Sequence, residues 1–386
     1  MENINSCCFV AKISDIKPIE GADKIVLAVI NGWNCIVQKD QYNIGDLVIC
    51  ATTDAVIPQL LAEHLNVINY LRKGNRVKTI KLKGVYSECL LIPISIIESI
   101  YPGLNADAIP EKIEDGTDLM SALQIFKFEP PVKMVQLASG KKIRYSENPN
   151  FQIYYKFPNI KNVPGIFIEE DEVQITRKLH GTNARYGIVK KNKLSLLDKI
   201  LKFIKRDKWI DYEFVVGSHN VEKGSDSQGF YDTNVWYEIA DKYKIKEKLW
   251  NYVKKIIGDS SKIGSGVTIF GEIYGQGIQK GYDYDLKELK FAAFDIVENG
   301  EYLSTDETLL MTTFVLDLPH VEILYKGKWS QEIQDSFVYD NFIPNSKVPH
   351  EGIVIKHKSG KRDKVAKVIN PAYLIYGEKN NIGDSH

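Results

Sequence analysis

The chain has 386 residues, long enough for two or three domains, with two as the working number; 44% hydrophobic and 26% charged content exclude a disordered or fibrous architecture. Fifty basic and fifty acidic side chains give a formal net charge of zero, which by itself argues against a nucleic-acid partner. The distribution argues the other way: Arg72 to Lys83 holds six basic residues and no acidic one, Lys190 to Lys208 eight against two, and Lys356 to Lys367 six against one. Such stretches could attract a polyanion, or in Lys190–Lys208, where Leu194, Leu196, Leu197, Ile200 and Leu201 alternate with lysines, form an ordinary amphipathic segment.

The longest apolar region, Cys89 to Ile97, is broken by Pro93 and too short to span a bilayer, so no membrane is expected among the partners. Met1–Asn5 lacks a basic region ahead of an apolar one, so no secretory leader is expected. Cys7, Cys8, Cys35, Cys50 and Cys89 lack metal-ligand spacing and are expected to be reduced, partly buried thiols of an intracellular, cytoplasmic monomer.

From Phe9 to Ile92, short apolar runs alternate with turn residues and predict about six strands, with Asn31-Gly32 as a hairpin turn. That spacing suggests a small closed barrel, on which Lys78, Lys81 and Lys83 sit on or beside one strand where they could track a phosphate backbone. Pro, Gly, Ser and Asn accumulate through Glu129 to Asn150, predicting a linker over 129–150 between domains at 1–128 and 151–386. In the second domain, Val235 to Ile257 has helical spacing, and apolar runs from Val267, Leu289, His320, Gly352 and Lys364 predict strands. The class is α+β, mostly antiparallel.

Within this domain, Ile175 to Lys178 reads as a strand that ends in a lysine, followed by a Gly181-centred turn and a second strand near Ala184. A lysine on a rigid edge can serve as a nucleophile if its surroundings favour the amine. Glu272 ends the run Val267–Phe270 after Gly271, Glu351 begins the run Gly352–Ile355, Lys356 closes it, and Lys364 and Lys367 punctuate the last strand. Together they offer two carboxylates and several amines, equipment to activate a lysine, hold a divalent metal and neutralise a triphosphate.

Lys178-Leu179-His180-Gly181-Thr182-Asn183 resembles the first motif of the covalent nucleotidyltransferases, in the form found in duplex-sealing RNA ligases. Gly271 to Lys280 resembles their third motif, Phe291 to Ile296 the next, Glu351 to Lys356 the fourth and Lys364 to Asn370 the fifth, in the correct order. DNA ligases and capping enzymes carry a second barrel after the fifth motif, whereas 17 residues follow Ile369 here. The N-terminal barrel, with Pro18–Lys24 and Asn43–Asp46, resembles the oligonucleotide-binding (OB) barrel of one RNA ligase branch.

The resemblance implies ATP and Mg²⁺ or Mn²⁺ as cofactors, and Lys178 as the residue that attacks the α-phosphate to form lysyl-adenylate. His180 and Asn183 would line the phosphate and ribose side, Glu272 the ribose or a metal-bound water, and Phe294, in preference to Phe291, would stack on adenine. Glu351 would help bind the metal, and Lys356 and Lys367 would contact phosphates. The implied partner is RNA or an RNA-containing duplex with 3′-OH and 5′-phosphate ends, sealed at nicks as in RNA repair. A DNA ligase or GTP-dependent capping-type guanylyltransferase and a non-catalytic RNA-binding protein are the alternatives.

The pattern departs from most of the superfamily in three places. His180 stands where Asp is common, His219 where an arginine often contacts phosphate, and Ile369 where the fifth motif often has a second lysine, a place that Lys364 either fills or leaves empty.

Overall fold

The computed structural model describes residues 6–99, 103–128, 148–205, 208–219, 221–224, 234–258, 263–279, 281–282, 284–380 and 382. The chain divides into two compact units, Met1–Pro131 with Pro158–Ile166, and Val132–Phe157 with Phe167–His386. Most of the expected linker, residues 129–147, lies outside the described residues.

The first unit contains β1 (Cys8–Lys12), β2 (Asp15–Pro18), β3 (Ile25–Ile30), β4 (Trp33–Gln38), β5 (Leu47–Thr52), β6 (Ala55–Val56), β7 (Ile80–Leu82), β8 (Val85–Ser87), β9 (Cys89–Pro93) and β10 (Phe126–Lys127). They form sheets β1-β5-β9 and β2-β3-β4 and the pairs β7-β8 and β6-β10, separate ladders rather than one continuous one. Alternation explains the shared interior: Trp33, Cys35 and Val37 of β4 turn inward to join Phe9, Val48, Cys50 and Leu91 from the other sheet in one core. Asn31 and Gly32 both take positive φ, 49° and 80°, as the two-residue turn between β3 and β4 requires. All five thiols are free and buried, and burial raises Cys7 to about 11, so they serve as small core residues.

Residues 151–386 were expected to form one domain, yet Pro158–Ile166 packs with the first unit. Lys161 explains the difference. Its ammonium meets both Glu88 carboxylate oxygens at 2.7 Å and lies 5.1 Å from the Trp33 ring centre, and both charged side chains are nearly buried. Removing one member strands the other charge away from water, so Lys161→Met is expected to cost about 3–5 kcal/mol. Urea denaturation should show this as a lower midpoint for the N-terminal unit. Lys161→Met combined with Glu88→Leu should recover much of the loss, because no buried charge is then left unpaired.

The second unit contains β11 (Glu172–Lys178), β12 (Thr182–Lys190), β13 (Tyr212–Gly217), β14 (Gly266–Gly275), β15 (Leu289–Glu298), β16 (Glu301–Tyr302), β17 (Ile323–Lys328), β18 (Gly352–His357) and β19 (Val365–Ile369). They make a five-stranded sheet, β13-β12-β14-β15-β16, and a four-stranded one, β17-β11-β18-β19, both antiparallel. The single helix expected over Val235–Ile257 is divided into Val235–Lys242, Ile245–Asn251 and a π-helical end, Tyr252–Ile257. Lys244 takes a left-handed φ of 52°, which ends the first helix and re-aims the second. Trp236 and Ile239 from one, and Ile245 and Leu249 from the other, then reach the same core against Tyr186, Ile269 and Phe291 of the larger sheet. The opposite face of that sheet carries a smaller aromatic cluster, Tyr154, Phe270 and Val297 with Phe294 and Tyr302 packed against it, together with polar residues.

Candidate active site

Lys178 ends β11 directly opposite Gly352 of β18. Because Glu351 precedes Gly352, this register sets its carboxylate against the Lys178 ammonium, and the two side chains form an ion pair. Glu351 is 1% exposed and Lys178 19%, so the lysine is the member that faces open space. Glycine is required at the turn that follows: a Cβ on Gly181 would run into the Ile273 carbonyl and the Glu272 side chain. That close approach brings Glu272 of β14 into the field of Lys178.

Two carboxylates thus share one ammonium. Burial pushes the Glu272 carboxyl up to about 8; Lys178 pulls it down, the Glu351 charge adds to the rise, and the Gly181 backbone hydrogen bond opposes it. His180 is 2% exposed and stands behind this pair. Its backbone N–H donates to the Tyr284 hydroxyl at 2.6 Å, its Nδ1 shares a hydrogen bond of 3.0 Å with the Tyr373 hydroxyl, and Nδ1 lies 3.9 Å from Glu351. Tyr282 packs edge-on at 4.7 Å between ring centres. The structure therefore encloses His180 in a tyrosine cage beside Glu351.

Strand register collects the other expected residues. Asn183 pairs with Glu272 and Glu272 with Ala292, so Asn183, Glu272 and Phe294 share the face of the large sheet that its helices leave uncovered. Among the described residues the buried Asn183 Oδ1 has no hydrogen-bond partner. Phe291 is fully buried in the core on the opposite face, whereas Phe294 is half-buried, which separates the two aromatic candidates. On the smaller sheet, Lys178 pairs with Gly352, Val354 with Lys367, and Gln174 with Lys356, so Lys178, Lys356 and Lys367 share one face.

Lys356 is 3% exposed and spans the two sheets, donating to the Phe294 carbonyl at 2.6 Å and to Asp295 Oδ2 at 2.7 Å. Sequence reading assigned Asp295 no role, yet it is the hub of the site: Tyr154 donates its hydroxyl to Oδ2, and Arg362 donates to Oδ2 at 3.1 Å and Oδ1 at 3.3 Å. Burial alone would raise the Asp295 carboxyl, but Lys356 and Arg362 outweigh it and hold it below the usual value. The aromatic density of Phe151 to Phe157 was the available signal for Tyr154, Asp295 lies within the Phe291–Ile296 motif, and Arg362 lies within the basic stretch Lys356–Lys367. Lys364 donates to both Asp171 carboxylate oxygens, at 2.6 and 2.8 Å. His219 is half-buried, with its pKa lowered by burial and by Lys156 and Arg185.

In the N-terminal unit, Lys81 lies on β7 with its ammonium 4.4 Å from the Tyr86 ring centre, Lys83 occupies the β7–β8 turn at φ 50°, and Lys78 precedes the strand. They do not share one strand face.

An OB-fold domain model matches residues 8–94, and the RNA ligase family model matches residues 171–369, just over half of the chain. The chain belongs to the RNA ligase family. Solved structures of Naegleria gruberi RNA ligase are similar to this RNA ligase along its length. The form with PPi has a TM-score of 0.67 at 22% identity, over 97% of this chain and 99% of that one. A mutant with ATP and Mn gives the same values, and a mutant with AMP and Mn has a TM-score of 0.66 at 21% identity over 98% and 99%. A search of curated proteins returns no match. At these identities the structural likeness speaks for the fold, while the family model runs from before the first motif to Ile369 in the fifth.

Two outcomes follow for this RNA ligase. Glu272 titrates near 4.5 in the unfolded chain and at about 8 in the folded one, so between those values the native state holds a proton that the unfolded state has released. Native stability without metal should therefore fall as pH rises through that window, and Glu272→Gln should flatten the fall in thermal melts. Asp295→Ala leaves Lys356 and Arg362 without their shared carboxylate and is expected to cost about 3–5 kcal/mol, read by urea denaturation.

Proposed function

We propose that this RNA ligase is ATP-dependent and seals RNA ends through a lysyl-adenylate on Lys178. The observation that carries the reading is the Lys178–Glu351 ion pair beside Glu272, one partly exposed amine set between two carboxylates.

The donor set fits a divalent cation. Glu351 is paired with Lys178, and Glu272 is held protonated chiefly by burial, with the Glu351 charge adding to the rise, so a cation that displaced this proton would find a second carboxylate beside the first. Among the described residues no cluster of three or more His, Cys, Asp or Glu forms a metal site, so the fit is to an ion shared with a nucleotide's phosphates. Mg²⁺ or Mn²⁺ on Glu351 and Glu272 would offset phosphate charge and favour the neutral amine of Lys178.

The residues then divide the work. Half-buried Phe294 stacks on adenine, and Asn183, whose Oδ1 awaits a donor, meets a ribose hydroxyl. Lys356 has three N–H donors, of which Phe294 and Asp295 take two, leaving one for a phosphate oxygen, with Lys367 on the same face as the second cation. His180 orients Glu351 through its cage.

Lys178 gives up a proton and attacks the α-phosphorus of ATP; the N–P bond forms, the bond to the bridging oxygen breaks and pyrophosphate leaves. The adenylyl group passes to a 5′-phosphate oxygen, restoring the amine. A 3′-hydroxyl then loses its proton, attacks the activated phosphorus and expels AMP. The substrate class is a nick with an RNA 3′-OH strand, as in RNA repair, and Lys78, Lys81 and Lys83 contribute backbone contacts from the OB unit.

Intact-mass measurement after incubation with ATP and Mg²⁺ or Mn²⁺ should show one added AMP on the wild type and none on Lys178→Ala, a loss of at least about a thousandfold. Bound AMP is removed beforehand with pyrophosphate. Labelling by GTP instead of ATP, or by neither, overturns the proposal. Glu351→Gln should slow adenylation by about 10–100-fold while leaving the fold intact in thermal melts.

A further inference from the structure

Between β12 and β13 the chain inserts a helix, Leu196–Lys205, that the ligase site does not use. Six apolar residues, Leu196, Leu197, Ile200, Leu201, Phe203 and Ile204, fall within an arc of roughly 160° at about 100° per residue. A helix with such an arc ordinarily turns it inward. Here all six face solvent, Phe203 at 87% exposure and Leu196 at 75%.

The opposite arc is the one tied to the protein. Asp198 accepts from Lys191 at 2.7 Å and from the Ser195 hydroxyl at 2.7 Å and backbone N–H at 2.9 Å, and the Ser195 oxygen accepts the Asp198 N–H in return. Lys202 donates to both oxygens of Asp211 at 2.6 and 2.8 Å. These bonds hold the polar side down and the apolar side out, so the exposed arc is a built feature of the fold.

We infer that this helix docks on an anionic lipid surface, lying in the headgroup plane with its apolar arc in the acyl boundary. Charge selects that occupant. The stretch from Lys190 to Lys208 carries eight basic residues against two acidic ones, and Lys193 and Lys199 are exposed beside the arc. Cations flanking an apolar stripe match anionic headgroups, whereas pairing with a second copy would set two such cationic segments against each other. Among the described residues no helix is long and apolar enough to cross a membrane, and this mode of binding needs none. The inference is independent of the adenylation chemistry.

Cosedimentation of the full chain with vesicles of phosphatidylcholine alone, or mixed with phosphatidylserine, tests it. Binding should be about tenfold greater on the mixed vesicles and fall with salt. Leu197→Glu combined with Phe203→Glu should abolish that binding with unchanged thermal melting and ATP labelling, since both side chains are exposed. Absence of binding to either vesicle, or binding that survives the double substitution, overturns the proposal. So does an apolar-dependent dimer in sedimentation velocity, or selective docking of the arc into an acidic-rimmed protein groove in place of vesicles.

Discussion

The site depends on one amine being held between two carboxylates by strand register. The pairing of Lys178 with Gly352 places Glu351, and the glycine turn at Gly181 places Glu272; neither carboxylate needs a long or flexible side chain to arrive. Only one of the two can be neutralised by Lys178. Burial decides the outcome, leaving Glu351 in the ion pair and Glu272 with its proton at neutral pH. The consequence is a carboxyl held neutral by burial beside one that is paired, an arrangement whose stability falls as pH rises through the Glu272 titration.

The second constraint is Asp295. It lies on β15 of the larger sheet and binds Lys356 from β18 of the smaller one, while Lys356 also holds the Phe294 carbonyl. The aromatic face at Phe294 and the strand that positions Lys178 are therefore linked through one buried ammonium. Bending either sheet away from the other would separate a buried charge pair, a change costing several kcal/mol, so the spacing of the cleft is set before any ligand binds.

The elements legible in the sequence were those with a local signature. Strand alternation, the Asn31-Gly32 turn, Lys178 at the end of β11 and Glu351 at the start of β18 recur at the expected positions, because period-two patterning and glycine turns act within a few residues; Glu272, expected at a strand end, lies inside β14, which continues to Gly275. What escaped was decided across the chain. Asp295 meets Tyr154, 141 residues away, and Arg362, 67 residues away, and no spacing encodes that encounter. Lys161 reads as a solvated lysine until Glu88 and Trp33 close over it, which is also why the expected domain boundary missed Pro158–Ile166. The break at Lys244 was hidden because apolar spacing continues through it. The helix at Leu196–Lys205 shows the limit from the other side: its amphipathic pattern was readable, but a pattern gives no sign of which face is turned inward.

Buried cations in both units are packed in the same way. Arg362 stacks over Tyr302 at 3.8 Å, Arg185 over Phe151 at 4.2 Å, and Lys161 and Lys356 lie 5.1 and 5.6 Å from the Trp33 and Phe294 ring centres. Each also bonds a carboxylate or backbone carbonyl, so its charge is compensated on one side and its apolar surface on another. A long basic side chain in water loses rotamer freedom when it grips a phosphate; one already fixed between a ring and an acceptor has lost most of that freedom on folding. For Lys356 and Arg362 the ordering cost therefore falls on the fold, which fixes both cations around Asp295.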